Sequence, residues 1–76
     1  MVRNGSQIFI IGEYITLGQL LKFLDLVSTG GEEKEFVLTH DITFNGEEEH
    51  RRGKKLRPGD KVTLDGDLYE ICLSKD

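Results

Sequence analysis

Asn45-Gly46 leaves this chain the fewest options. Both residues tolerate positive φ, as the two central positions of a type I′ turn require, so residues 42–44 and 47–49 are set to pair as antiparallel strands. Five cations follow: Arg51, Arg52, Lys54, Lys55 and Arg57. Arg57-Pro58-Gly59-Asp60 then puts proline second and glycine third, the chemistry of a type II turn. Asp65-Gly66 repeats the hairpin signal between apolar runs at 61–64 and 68–73. A two-residue loop there sets Val62 opposite Tyr69, and a three-residue loop sets Leu64 opposite Leu68. The second half therefore reads as a hairpin, a basic segment bracketed by two tight turns, and a second hairpin.

The first half changes period. Ile8, Phe9, Ile10 and Ile11 form a short β-branched and aromatic run ending at Gly12, which predicts a strand within residues 6–13 covered on both faces. Thr16 and Gln19 have capping-box spacing, with Ile15 and Leu20 placed as a hydrophobic staple. Leu17, Leu20, Leu21 and Leu24 then recur at i, i+3, i+4 and i+7, predicting a helix over residues 17–26 with one buried stripe. Thr29 and Glu32 repeat the capping box and predict a second helix over residues 31–39, anchored mainly by Phe36 and Val37. Helices joined by so few residues form a helix-turn-helix-like pair. The order strand, helix, helix, hairpin, basic loop, hairpin predicts an α+β fold, the helices packed on one small sheet.

At 76 residues the chain makes one domain, with a core expected over residues 7–73 and ragged ends at 1–6 and 74–76. Cys72 stands alone, so it forms no internal disulfide and suits a reducing cytoplasm; between Ile71 and Leu73 it reads as a small buried apolar group. No apolar run approaches the roughly 20 residues of a membrane span, and no signal-peptide pattern opens the sequence. His40 and His50 have no cysteine near them, which argues against a metal site. Net charge is −4, yet residues 51–61 carry six cations against one carboxylate, leaving −9 on the rest. That segregation makes one cationic patch suited to phosphate.

The residues from Ile15 to Leu24, with Ser28-Thr29-Gly30-Gly31-Glu32, Phe44-Asn45-Gly46-Glu47, Arg51-Arg52-Gly53-x-Lys55-Leu56 and Pro58-Gly59-Asp60, resemble the S4 RNA-binding domain from Glu13 to Ile71. The Gly-Gly-Glu and Arg-Arg-Gly-x-Lys-Leu signatures are similar to the small stand-alone bacterial S4-like proteins of the YaaA type. The resemblance implies two short helices on a small, mainly antiparallel sheet, binding structured RNA, ribosomal RNA or its precursors, without catalysis or cofactor. It implies RNA contacts at Lys34 and along Arg51, Arg52, Lys54 and Lys55, with Arg57 closing the basic segment. The chain departs from the pattern in four places. Thr16 and Gly30 stand where many S4 domains carry arginine, Glu33 where a small alanine is usual, and His40 where a glycine leaves the second helix. Glu33 is expected to loosen the helix packing and His40 to strain a left-handed cap.

A lone Lys/Arg-rich stretch is otherwise a solvated loop, and here its bracketing turns and the resemblance favour RNA. Arginine grips phosphate through a planar fork, lysine acts as a mobile point charge, and Gly53 leaves the backbone open to approach. No aromatic lies between Arg51 and Lys61, so no platform for stacking bases is expected, and binding should run through phosphates. Glu47, Glu48 and Glu49 read as solvated strand residues rather than paired catalytic carboxylates. The reading is a monomeric, cytoplasmic, non-enzymatic RNA binder. Its alternative is a ribosome-associated module whose basic patch meets an acidic protein, ribosomal proteins included.

Overall fold

The computed structural model describes residues 6–74. Its elements run β1 (Ser6–Ile10), β2 (Ile15–Thr16), α1 (Leu17–Phe23), α2 (Gly30–Thr39), β3 (Ile42–Phe44), β4 (Glu47–Glu48), β5 (Lys55–Leu56), β6 (Lys61–Leu64) and β7 (Asp67–Leu73). Five strands form one sheet in the order β1-β7-β6-β3-β4, and β2 pairs with β5 in a separate two-stranded ribbon. Among the described strands only β1 with β7 is parallel. The α+β architecture is thus as expected, and the ribbon is an addition to it. Among the described residues no helix is long and apolar enough to cross a membrane.

Both hairpins follow from their turn residues. Asn45 and Gly46 have φ of 51° and 91°, Asp65 and Gly66 49° and 93°, as type I′ turns require. The second loop has two residues, since Leu64 faces Asp67 and Val62 faces Tyr69. Gly59, at φ 99°, makes the predicted turn with the Asp60 N–H donating to the Arg57 carbonyl at 2.9 Å. The turn is also clamped from the side, where the Arg57 N–H donates to Asp60 Oδ2 at 2.8 Å.

α1 begins as predicted and ends early, whereas α2 runs Gly30–Thr39 against the expected 31–39. Thr16 and Gln19 complete the capping box at 2.8 and 3.1 Å. α1 stops at Phe23 rather than Leu26, because Asp25 takes a left-handed φ of 62°. The Leu26 N–H then reaches the Leu21 carbonyl and the Asp25 N–H the Lys22 carbonyl, the two bonds of a Schellman stop. At α2 the Thr29 hydroxyl accepts from the Glu32 N–H, but Glu32 reaches back to the Ser28 N–H rather than to the cap itself. His40 leaves α2 with φ −109° and ψ 159°, ordinary extended backbone, so the expected strain is absent.

The core is a helix layer on one face of the sheet. Leu17, Leu20, Leu21, Val27 and Val37 meet Ile8, Ile10, Ile42, Val62, Leu64 and Ile71, with Leu56 joining from the ribbon. β1 is covered on one face only: Ile8 and Ile10 are buried, while Phe9 is 58% exposed. The cause is that both helices lie on the same side, leaving the strand's alternate residues to solvent. Cys72, register partner of Phe9, is accordingly half-buried. Of the ends expected to be ragged, Ser6 opens β1 and the Ser74 N–H donates to the Ile10 carbonyl. Residues 1–5 and 75–76 lie outside the described residues.

Candidate nucleic-acid interface

The basic segment is docked on the helix layer through its backbone. The Leu17 N–H donates to the Lys54 carbonyl and the Gly18 N–H to the Arg52 carbonyl, both at 2.8 Å. Two of the N–H groups that a helix start leaves unpaired are thus satisfied by the loop. Downstream, β5 pairs with β2, Ile15 facing Leu56 and Thr16 facing Lys55. Upstream, the His50 ring Nδ1–H donates to the Val37 carbonyl at 2.9 Å, tying the loop to α2. That bond, with Glu48 nearby, holds the His50 pKa above its ordinary value.

The six predicted contact residues divide by what they touch. Arg51 Nε donates to Glu49 Oε2 at 2.9 Å, and the Arg51 N–H reaches the same oxygen at 3.1 Å. Glu49 is buried, not a solvated strand residue as expected, because β4 ends at Glu48 and the chain turns this carboxylate inward. The Arg51 guanidinium beside it holds its pKa below the usual carboxylate value. Arg51 itself keeps a side chain 73% exposed. Arg52 Nη1 donates to the Gly30 carbonyl at 2.6 Å and lies 3.5 Å from Glu33 Oε1. Arg52 therefore ties the loop to the start of α2.

Glu33 does the reverse of what its size suggested. Its side chain, 12% exposed, reaches Lys22 Nζ at 3.2 Å as well as Arg52, and it lies over Gly18. A carboxylate fits between the helices because α1 presents no Cβ there, and it joins both helices to the loop rather than loosening them.

Lys54, Lys55 and Arg57 have no carboxylate within ion-pair distance among the described residues. They rest on aromatic rings instead. Lys54 Nζ lies 4.4 Å from the Phe44 ring centroid. Lys55 Nζ lies 5.1 Å and Arg57 Cζ 5.8 Å from that of Tyr14. All are within cation–π range. Lys34 is exposed on α2, one turn beyond Gly30 whose carbonyl Arg52 grips. The backbone of the segment lies against the helix starts, while its side chains spread between Glu49, Gly30, Phe44 and Tyr14.

Tyr14 is the residue that sequence reasoning missed. Nothing aromatic lies within the basic segment, and Tyr14 comes from far upstream, across the ribbon. Its position before a capped helix, beside Ile15, offered no local sign of a partner.

A family model described as the S4 domain matches residues 8–72. A Bacillus subtilis (strain 168) protein named probable ribosome maturation protein RlbA is 46% identical over 61 residues, covering 80% of this chain and 86% of that protein.

Proposed function

The chain belongs to the S4 domain family, and from that premise we propose that it is a non-catalytic RNA-binding protein that engages structured ribosomal RNA or its precursors during ribosome maturation. The observation that carries the reading is the docked basic loop. Its carbonyls at Arg52 and Lys54 are fixed to the start of α1, so the cations project from a rigid backbone whose geometry a folded phosphate chain can match. Arg51 and Arg52 hold the loop in shape and keep spare guanidinium donors for phosphate. Lys54, Lys55, Arg57 and Lys34, free of carboxylate partners among the described residues, supply most of the charge that meets RNA. The dipolar charge distribution supports this, the acidic remainder keeping non-specific adhesion low.

Filter binding of a ribosomal RNA hairpin at several salt concentrations tests the reading. Four phosphates neutralised give a log-log slope of about −3 to −4. Replacing Lys55 and Arg57 together by glutamine should shallow that slope by about 1.5 to 2 units and weaken all structured RNAs alike. A slope near zero in the parent would transfer the patch to an acidic protein partner.

A further inference from the structure

The β2–β5 ribbon has two faces, and only one belongs to the core. Ile15 and Leu56 face each other and point inward, Leu56 with no exposed surface and Ile15 packed against the core cluster. Strand alternation therefore turns Thr16 and Lys55 to the other side. Continuing the register by one residue sets Tyr14 opposite Arg57 on that same outer side. Lys55 lies on the diagonal from Tyr14, within reach of a long side chain. The two cation-to-ring distances, 5.1 and 5.8 Å, agree with this placement.

Tyr14 is 41% exposed and is not part of the buried cluster. The two cations beside it are ones that no carboxylate neutralises among the described residues, whereas Arg51 and Arg52 each have a glutamate. The position is also rigid. The Thr16 hydroxyl caps α1, and the Arg57 N–H is held by Asp60. A part-exposed aromatic on a fixed backbone with two unpaired cations over it is the composition of a stacking platform for a nucleotide: the long cationic side chains swing to the phosphates and the ring face they leave takes a base. Bases splayed out of loops and bulges are what proteins read in folded RNA, since the deep groove of the A-form helix is closed to side chains.

Resting on the RNA-binding reading, we infer that the outer face of the β2–β5 ribbon is a nucleobase-stacking site, in which Tyr14 stacks on one unpaired base and Lys55 and Arg57 hold the phosphates beside it. The domain then meets RNA in two ways at once. The docked loop follows the backbone of a helical region, and the ribbon marks a position where a base has left the stack. The stacking contact is tolerant of base identity, because every base has a π-face.

The test uses the full chain and two probes: an RNA hairpin with a single-stranded loop, and the same hairpin with abasic ribose at every loop position. The second keeps the phosphates and removes the bases. The parent should bind the first about 5- to 150-fold more tightly than the second. Tyr14→Leu should lose that factor on the first probe, bind the second as the parent does, and leave the salt slope unchanged. Tyr14→Phe should keep most of the parent preference, while Lys55→Gln should shallow the slope by about one unit on both probes. Thermal melts of each variant establish that the fold is retained. Equal binding of the two probes by the parent, with a steep salt slope on both, would overturn the stacking site and leave RNA binding standing. A Tyr14→Leu loss of equal size on both probes would overturn it too, assigning Tyr14 to positioning the cations. Failure of the parent to bind either probe would overturn both readings together.

Discussion

Gly18→Ala sets two effects of known sign against each other. Alanine for glycine in a helix ordinarily gains about 0.5–1 kcal/mol from reduced backbone entropy in the unfolded chain. At Gly18 an added Cβ would sit 2.8 Å from Glu33 Cδ, closer than carbon atoms pack, so Glu33 must move. That carboxylate is held by Lys22 at 3.2 Å and Arg52 at 3.5 Å, and Gly18's own N–H is fixed to the Arg52 carbonyl, so neither side yields freely. Each ion pair has one half-exposed partner and is worth up to about 1 kcal/mol. Forcing extra volume into a filled contact costs about 1–3 kcal/mol more. The collision wins, and Gly18→Ala should destabilise the parent by about 1–2 kcal/mol, lowering Tm by about 4–8 °C for each kcal/mol. In a Glu33→Ala background the obstacle is gone, so the same substitution should stabilise by about 0.5 kcal/mol. A double-mutant cycle from urea unfolding of the four proteins should give a coupling of about 2 kcal/mol. Stabilisation by Gly18→Ala in the parent, or equal effects in both backgrounds, would refute the proposed wedging of Glu33 between the helices.

Three further outcomes are expected. Gly46→Val should lower stability by about 1–3 kcal/mol in a thermal melt, since a β-branched residue resists the 91° φ of this turn. Thr16→Ala removes the α1 cap and should cost about 0.5–2 kcal/mol, with RNA affinity of the folded protein within twofold of the parent. Glu49 and Asp65 have depressed pKa values, Glu49 through Arg51 and Asp65 through His40. Both therefore contribute stability above the ordinary carboxylate pKa of about 4 that is lost as pH falls through the depressed values. Urea midpoints should drop below that pH, and Glu49→Gln with Asp65→Asn should flatten the acid limb. His50 works in the opposite sense, its contribution complete below about pH 6.5 and lost as pH rises through its raised pKa, which NMR titration would locate.

What could be read in the sequence was whatever neighbouring residues decide. Asn45-Gly46, Asp65-Gly66 and the Thr16 to Gln19 box act over four residues or fewer, and each formed as its chemistry requires. The leucine stripe of α1 was equally plain, although the Asp25 stop was not, since aspartate enters the left-handed region only where the surrounding bonds favour it. Pairings across the chain had no such signature. Two-residue strands such as β2 and β5 are too short to show a period, and each exists because the other is delivered to it. The same holds for charges. Glu49 read as a solvated strand residue and Glu33 as a misfit between the helices until the fold brought Arg51 and Arg52 beside them. The cations of the site were countable in advance, but their division into those that brace the loop and those free for a ligand was not.

β7 lies between β1 and β6, and among the described elements it is the last in the chain. Among the described strands β1 pairs with β7 alone. The β3–β4 hairpin, β6 beside β3 and the two capped helices need nothing downstream of Leu64, but Ile8 and Ile10 stay uncovered until Ile71 and its neighbours pair with β1. That parallel pair has the widest sequence separation among the described pairings, so it carries the largest loop-closure entropy in the sheet. A chain truncated after Leu64 would leave the buried residues of β1 without their partner strand, and restoring residues 65–74 should restore cooperative unfolding.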